Sequence, residues 1–196
     1  MPAQEYLPID IKQLVIFPGE EKPAVSLPGK EQSFVSFEEA LSPSEIRGFK
    51  ELSRELALHS DKLRLHYGYY LITQQRELYL AVAQDSEVVG MMTVLEAHLE
   101  GHDTGPVGIL YDGLVFPDYR RRGVGITLLS GIIATTKAKN ASGLFTPVET
   151  LCASLPRDPL PAHHLLLKCG FEYTSGRERY EYELRLTEPE TASLQH

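Results

Sequence analysis

Leu114-Val115-Phe116-Pro117-Asp118-Tyr119-Arg120-Arg121-Arg122-Gly123-Val124-Gly125 joins an apolar run to an amphipathic one through a cationic, glycine-spaced turn. Such a turn suits an anion. Glycine lets the backbone curl tightly and approach a ligand, so the unpaired N–H groups at a helix start can converge on one phosphate with the helix dipole behind them. Arginine adds charge-assisted bonds. Upstream, Val107 to Phe116 reads as a strand carrying Ile109, Leu110, Leu114, Val115 and Phe116, with Pro117-Asp118 as its turn signal. Downstream, Ile126, Leu129, Ile132, Ile133 and Thr136 recur at helical spacing, and Lys137, Lys139, Asn140 and Gly143 supply stop signals. A dinucleotide-binding turn would carry a third glycine and a later acidic residue, and a P-loop would carry Gly-Lys-Ser/Thr. Neither pattern is here.

Arg120-x-x-Gly123-x-Gly125 after such a strand resembles the pyrophosphate-binding motif of the GNAT superfamily of acetyl-CoA-dependent N-acyltransferases. Two further segments agree in family order. Ala162, Leu165, Lys168, Gly170 and Phe171 match a late helix that typically reads A-x-x-L-Y-x-K-x-G-F, and Glu77 to Leu99 resembles the central hairpin, with Leu78–Val82 and Val88–Gly90 on either side of Asp85-Ser86. The likeness spans about residues 33 to 186. It implies a single α/β domain with a mixed, splayed sheet of about six or seven strands and helices on both faces. Residues 1–32, with five prolines, form an extension before it, and residues 187–196 a polar tail.

The resemblance also implies a reaction. Acetyl-CoA serves as co-substrate, and Arg120, Arg121, Arg122, Gly123, Val124, Gly125 and Ile126 hold its pyrophosphate. N-acyl transfer needs a neutral amine, a thioester within reach and N–H donors where the oxyanion develops. Gly113, inside an otherwise apolar strand, suggests a bulge or a close backbone approach, and by the resemblance pantetheine runs alongside here, with the acyl carbonyl near the Leu114 and Val115 amides. Asp112 precedes that point and is the candidate base, acting directly or through water. The competing reading is a carboxylate that orders a loop or binds the acceptor's cation. Tyr111, by alternation on the other face, is expected to pack.

One position departs from the family. Where a tyrosine commonly protonates the leaving thiolate, this chain has Leu166. A thiol is acidic enough to leave without an obligatory acid. His163, His164, Tyr173 and Cys152 are the alternatives, although adjacent histidines cannot face one site and fit surface or structural roles better. The same leucine supports a rival reading, a non-catalytic acyl-CoA-binding module of this fold.

Bulk properties bound the partners. At 196 residues the chain suits one core, and a formal charge of −8 argues against nucleic acid; it would suit an amine-bearing, cationic acceptor, but net charge more often reflects solubility alone, and that is the favoured reading. Cys152 and Cys169 make neither a disulfide framework nor a metal site. Cys169 is expected to pack at a helix end. His98 and His102 stand four apart but Gly101 spoils a helical metal pair, and His59 and His66 fit solvated roles. Tyr67, Tyr69 and Tyr70 are core residues or the wall of an acceptor pocket. The start lacks a basic region and apolar core, and no run reaches the roughly 20 apolar residues of a membrane helix, so a cytoplasmic setting is expected.

Secondary structure follows from local signals. Ser42-Pro43-Ser44-Glu45 is a capping box with proline at the first helical position, predicting a helix to about His59 with Ile46, Phe49, Leu52, Leu56 and Leu58 buried. Gly143 to Val148 reads as a strand, followed by a proline-broken loop from Glu149 to Pro161. Glu172-Tyr173-Thr174 and a final strand with Tyr180, Tyr182, Leu184 and Leu186 on one face complete the core. In the extension, Leu14 to Phe17 reads as a strand at a sheet edge or over the core, within its own subunit or across a homodimer. Removing residues 1–31 is expected to lower the melting temperature or change the oligomeric state while leaving the cofactor turn undisturbed.

Overall fold

A computed structural model describes residues 7–17, 24–26, 37–59, 76–84, 87–97, 105–144, 146–155, 160–174 and 181–186. Its strands are β1 (Ile9–Phe17), β2 (Ala24–Ser26), β3 (Arg76–Ala83), β4 (Val88–Ala97), β5 (Val107–Val115), β6 (Thr150–Ala153), β7 (Glu172–Tyr173) and β8 (Tyr182–Arg185). Its helices are a short α1 (Phe37–Ala40), α2 (Pro43–His59), α3 (Val124–Ser142) and α4 (Leu160–Lys168). The strands make an open eight-stranded sheet ordered β2-β1-β3-β4-β5-β6-β8-β7. The fold is mixed α/β. Contacts sort the chain into two compact units, Met1–Leu95 with Leu110–Ile132, and Glu96–Ile109 with Ile133–His196.

In the first unit, antiparallel pairing of β1 with β3 and of β3 with β4 sets two faces. On one, Leu14, Leu78, Leu80 and Met91 pack with Ala40, Leu41 and Leu52 from the α1–α2 region. Between Ala81 and Val82 the register slips, one step on β3 against two on β4, so that Val88 joins this same core. Gly48 of α2 makes that seat possible: a β-carbon there would sit 3.0 Å from both Cβ and O of Val88. The other face carries Ile11, Ala81 and Gly90, then Gln13, Tyr79 and Met92, and receives the start of α3. It also buries Glu77, whose carboxylate accepts from the Tyr79 hydroxyl at 2.5 Å and from Gln13 Nε2 at 3.2 Å.

The capping box forms as read. Ser42 N–H donates to Glu45 Oε2 at 2.7 Å, and Glu45 N–H donates to Ser42 Oγ at 3.3 Å. Lys12 of β1 reaches the same carboxylate at 3.0 Å, tying α2 to the sheet. Burial pushes the Glu45 carboxyl up, but the Ser42 N–H and the Lys12 ammonium outweigh it and hold it below the ordinary glutamate value. A depressed folded value stabilises the protein above the unfolded glutamate range, and the contribution is lost as pH falls through the folded value. Glu45→Gln is therefore expected to melt about 2–4 °C below wild type at pH 7, with the gap closing as pH drops below that value; calorimetric scans across pH check it.

In the second unit, β8 pairs antiparallel with β6 and β7. Glu149 N–H donates to the Pro106 carbonyl at 3.3 Å where β6 and β5 begin, and the helical crossover between those strands suits a parallel pair. The described residues of the strand expected over 143–148 are not in strand, and β6 starts at Thr150 instead. The cause is local. Pro147 has no N–H, and Asn140 takes both backbone groups of Val148, donating to its carbonyl at 2.7 Å and accepting from its N–H at 2.9 Å.

The helix α4 ends on Gly170, with φ of 90°. Phe171 N–H returns to the Leu166 carbonyl and Gly170 N–H to the Leu167 carbonyl, both at 3.1 Å, which is a Schellman motif. That geometry explains the Gly-Phe pair in the sequence.

The Leu14–Phe17 strand is longer than read. β1 runs from Ile9, is paired to β3 over Ile9–Ile16, and is flanked by β2 at Val15–Phe17. Among the described residues no helix is long and apolar enough to cross a membrane.

Candidate active site

The cationic turn occupies the link between β5 and α3, as its spacing predicts. Phe116 N–H donates to the Val89 carbonyl at 3.0 Å, carrying the β4 contact one residue past the strand. Pro117–Tyr119 then forms a single 3-10 turn with proline at its start, and Arg120 N–H closes it on the Pro117 carbonyl at 3.2 Å. Tyr119 is held by its hydroxyl on Glu87 Oε2 at 2.8 Å, so the β3–β4 connection braces the turn.

The three arginines are exposed, and contacts hold Arg120 and Arg122 at the turn. Arg120 Nε donates back to the Val115 carbonyl at 3.0 Å, while the Arg122 guanidinium carbon lies 5.6 Å from the centre of the Tyr119 ring. Their charges are thereby kept at the turn. Arg121 has φ of 63° and Gly123 φ of 87°, two left-handed residues within three positions. Glycine occupies that region without penalty, and a bulky non-glycine residue there is an outlier of the kind stored at binding sites.

Beyond the turn, the first helical bond runs from Thr127 N–H to the Gly123 carbonyl at 3.0 Å, doubled by Thr127 Oγ1 at 3.2 Å. The amides of Val124, Gly125 and Ile126 lie ahead of that bond and have no acceptor within the helix. Three helix-start amides and a cationic collar form a donor set matched to a phosphate or pyrophosphate, so the chemistry of the turn fits CoA.

Gly90 seats this helix start on the sheet. A β-carbon there would lie 3.1 Å from Val124 Cγ1, 3.2 Å from Leu128 Cδ1 and 3.2 Å from the Leu114 carbonyl oxygen. A side chain there would require these neighbours, one of them backbone, to give way. Val124, Leu128, Ile132 and Thr136 are buried, four residues apart, with Leu129 beside them. Ile126 and Ile133, expected in that stripe, are only half-buried, because the buried face begins on Val124.

Gly113 is exposed within a continuous β5, and a β-carbon there would meet Met92 Cε at 3.0 Å. The close neighbour is therefore the flexible end of a side chain. Leu114 and Phe116 pack against the α2-side core, which fixes the end of the strand. Asp112 lies on β5 between Tyr111 and Gly113; its side chain is outside the described atoms. Tyr111, expected to pack, is an exposed side chain.

Leu166 is buried on α4, at the position whose carbonyl closes the Schellman turn, so this side chain serves the core. The neighbouring residues named as alternatives separate clearly. Cys152 is buried on β6, Tyr173 and His164 are exposed, and His163 shares a 2.7 Å hydrogen bond between its Nδ1 and the buried Tyr182 hydroxyl. Burial, then Glu181 and Tyr173, push the Tyr182 hydroxyl above the ordinary tyrosine value. The Cys169 thiol is likewise raised by burial against the pull of Lys168, as expected of a packed helix-end cysteine. Tyr67, Tyr69, Tyr70, His66, His98, His102 and Tyr180 lie outside the described residues, as does the His59 side chain. Among the described residues, no cluster of three His, Cys, Asp or Glu side chains could hold a metal.

In this α/β fold an open sheet leads from β5 through a cationic, glycine-spaced turn into the start of α3. Residues 38–171 match the model of the acetyltransferase (GNAT) family. Aminoglycoside N(6')-acetyltransferase type 1 from Stenotrophomonas maltophilia is 32% identical over 114 residues, covering 57% of this chain and 68% of that protein. Among solved structures, AAC(6')-Iy in complex with the bisubstrate analogue CoA-S-monomethyl-acetylneamine aligns with a TM-score of 0.54 at 18% identity, over 88% of this chain and 97% of that one. An acyl-CoA N-acyltransferase structure from Klebsiella pneumoniae gives 0.53 at 18% identity, over 71% and 90%. These two share the fold. The chain belongs to the acetyltransferase (GNAT) family, and it is an enzyme of the acetyltransferase class.

Proposed function

We propose that this protein transfers an acetyl group from acetyl-CoA to a primary amine of a cationic small molecule. The observation that carries the reading is the turn itself: left-handed Gly123, three helix-start amides without helical acceptors, and Arg120 to Arg122 around them. In this reading the pyrophosphate sits against residues 120–126 and pantetheine follows β5 past Gly113. The thioester lies at the Leu114 and Val115 backbone. Asp112 takes the proton from the acceptor ammonium, directly or through one water, and the freed amine attacks the thioester carbonyl. The tetrahedral intermediate collapses with loss of CoA as thiolate, and the proton left on the attacking nitrogen passes to that thiolate or to water; no tyrosine at position 166 is needed because a thiol is acidic enough to leave.

The acceptor class rests on two supports. A formal charge of −8 favours a polycation, and a relative at 32% identity carries the name of an aminoglycoside acetyltransferase. A screen of aminoglycosides, polyamines and lysine peptides, following release of free CoA thiol from acetyl-CoA, tests it. Turnover with aminoglycosides above the peptides is the expected result. Exclusive turnover with an uncharged amine would refute the polycation assignment.

A further inference from the structure

The chain's N-terminal segment reaches the cationic turn. Leu7 N–H donates to the Arg122 carbonyl at 3.3 Å. Four residues later Ile11 lies against α3, where a β-carbon on Gly131 would sit 3.2 Å from Ile11 Cγ1. One contact is at the turn and the other two helical turns along the helix that it opens. Between them β1 is anchored by antiparallel pairing to β3 from Ile9 onward. The donor at Leu7 therefore stands two residues ahead of a paired strand.

The consequence lies in the geometry of the peptide. A trans peptide unit is planar, with its C=O and N–H pointing in opposite directions, and every described peptide here is trans. Fixing the Arg122 carbonyl thus fixes the direction of the Gly123 N–H. The next unit is held the same way, because Thr127 N–H and Oγ1 both bond the Gly123 carbonyl and so orient the Val124 N–H. Two successive amides of the anion site are aimed from behind, one by the helix and one by Leu7. With φ of 87°, Gly123 has the widest conformational freedom in the turn and gains most from such a hold.

We infer that Leu7 is a positioning residue for the CoA site, acting through its backbone N–H on the Arg122–Gly123 peptide. The inference rests on the reading of the turn as the pyrophosphate site, and it replaces the expectation that the extension leaves the turn undisturbed. Because the donor is main chain, the identity of the side chain matters little, whereas proline at this position deletes the bond. Leu7 precedes Pro8, a position that disfavours helical backbone and favours the extended region that proline tolerates.

Calorimetric titration of CoA into the full-length protein separates the possibilities. Leu7→Pro is expected to raise the Kd about fivefold and Leu7→Ala to leave it within about twofold, with melting temperatures of both unliganded variants within about 2 °C of wild type. Equal affinity of Leu7→Pro and wild type overturns the inference while leaving the CoA site intact. A wild-type protein that binds no CoA overturns the reading of the turn and this inference with it. Should Leu7→Pro fail to fold, the wild type still decides: coupling is reciprocal, so saturating CoA must slow deuterium exchange at the Leu7 amide, and unchanged exchange overturns the inference.

Discussion

Gly123→Asp is expected to abolish acetyl-CoA binding, with at least a hundredfold loss of affinity in calorimetry, while the protein stays folded. Two effects combine. The residue has φ of 87°, where any L side chain is strained by about 1–2 kcal/mol, so the turn must shift to admit one. A carboxylate beside the helix-start amides then competes for the donors meant for phosphate and repels it, and each 1.4 kcal/mol lost is tenfold in affinity. Gly123→Ala carries the conformational part alone and is expected to fall between the variant and wild type. Affinity for CoA unchanged in Gly123→Asp would mean that the nucleotide binds elsewhere.

The second large effect is expected at Asp112. If this carboxylate takes the ammonium proton, Asp112→Asn lowers turnover by about a hundredfold or more, because a neutral amide cannot act as base. CoA affinity should hardly change, since the turn proposed to hold the pyrophosphate begins after β5 ends at Val115. Paired steady-state kinetics and CoA titrations check this split. Full turnover by Asp112→Asn would remove the residue from catalysis and direct attention to the pair His163 and His164, of which His163 already engages Tyr182 through its Nδ1.

Where the sequence alone was sufficient, a local chemical signal set the backbone. The start of α2 was legible because Ser42 and Glu45 cap each other within four residues; α4 was placed by its resemblance to a family helix, and the physical basis of its Gly-Phe end is the left-handed Gly170 of a Schellman turn. The strand-turn-helix around Gly123 was legible for the same reason. What could not be read depends on residues distant in sequence. The apolar run after Gly143 resembles a strand, yet the Asn140 side chain captures the backbone of Val148 and delays β6 to Thr150.

The full length of β1 was hidden by its polar positions. Lys12 and Gln13 interrupt an apolar pattern, and their partners Glu45, Glu77 and Tyr79 stand more than 30 residues away. The extra residue of β4 that brings Val88 into the α2-side core is likewise visible only in the register with β3. In the site, the spacing located the turn, but the tethering of Arg120 to Val115 and of Arg122 over Tyr119 needed the fold. So did the bond from Leu7, which joins residues more than a hundred positions apart.

The central claim is that the turn from Arg120 to Ile126 is a CoA site. Titration of acetyl-CoA into the full-length protein, followed by isothermal calorimetry, tests it most directly. A saturable, one-to-one isotherm is predicted, with a Kd between about 1 μM and 1 mM, and its heat should disappear in Gly123→Asp. An absence of saturable heat at acetyl-CoA concentrations well above about 1 mM, in protein that melts cooperatively, would contradict it.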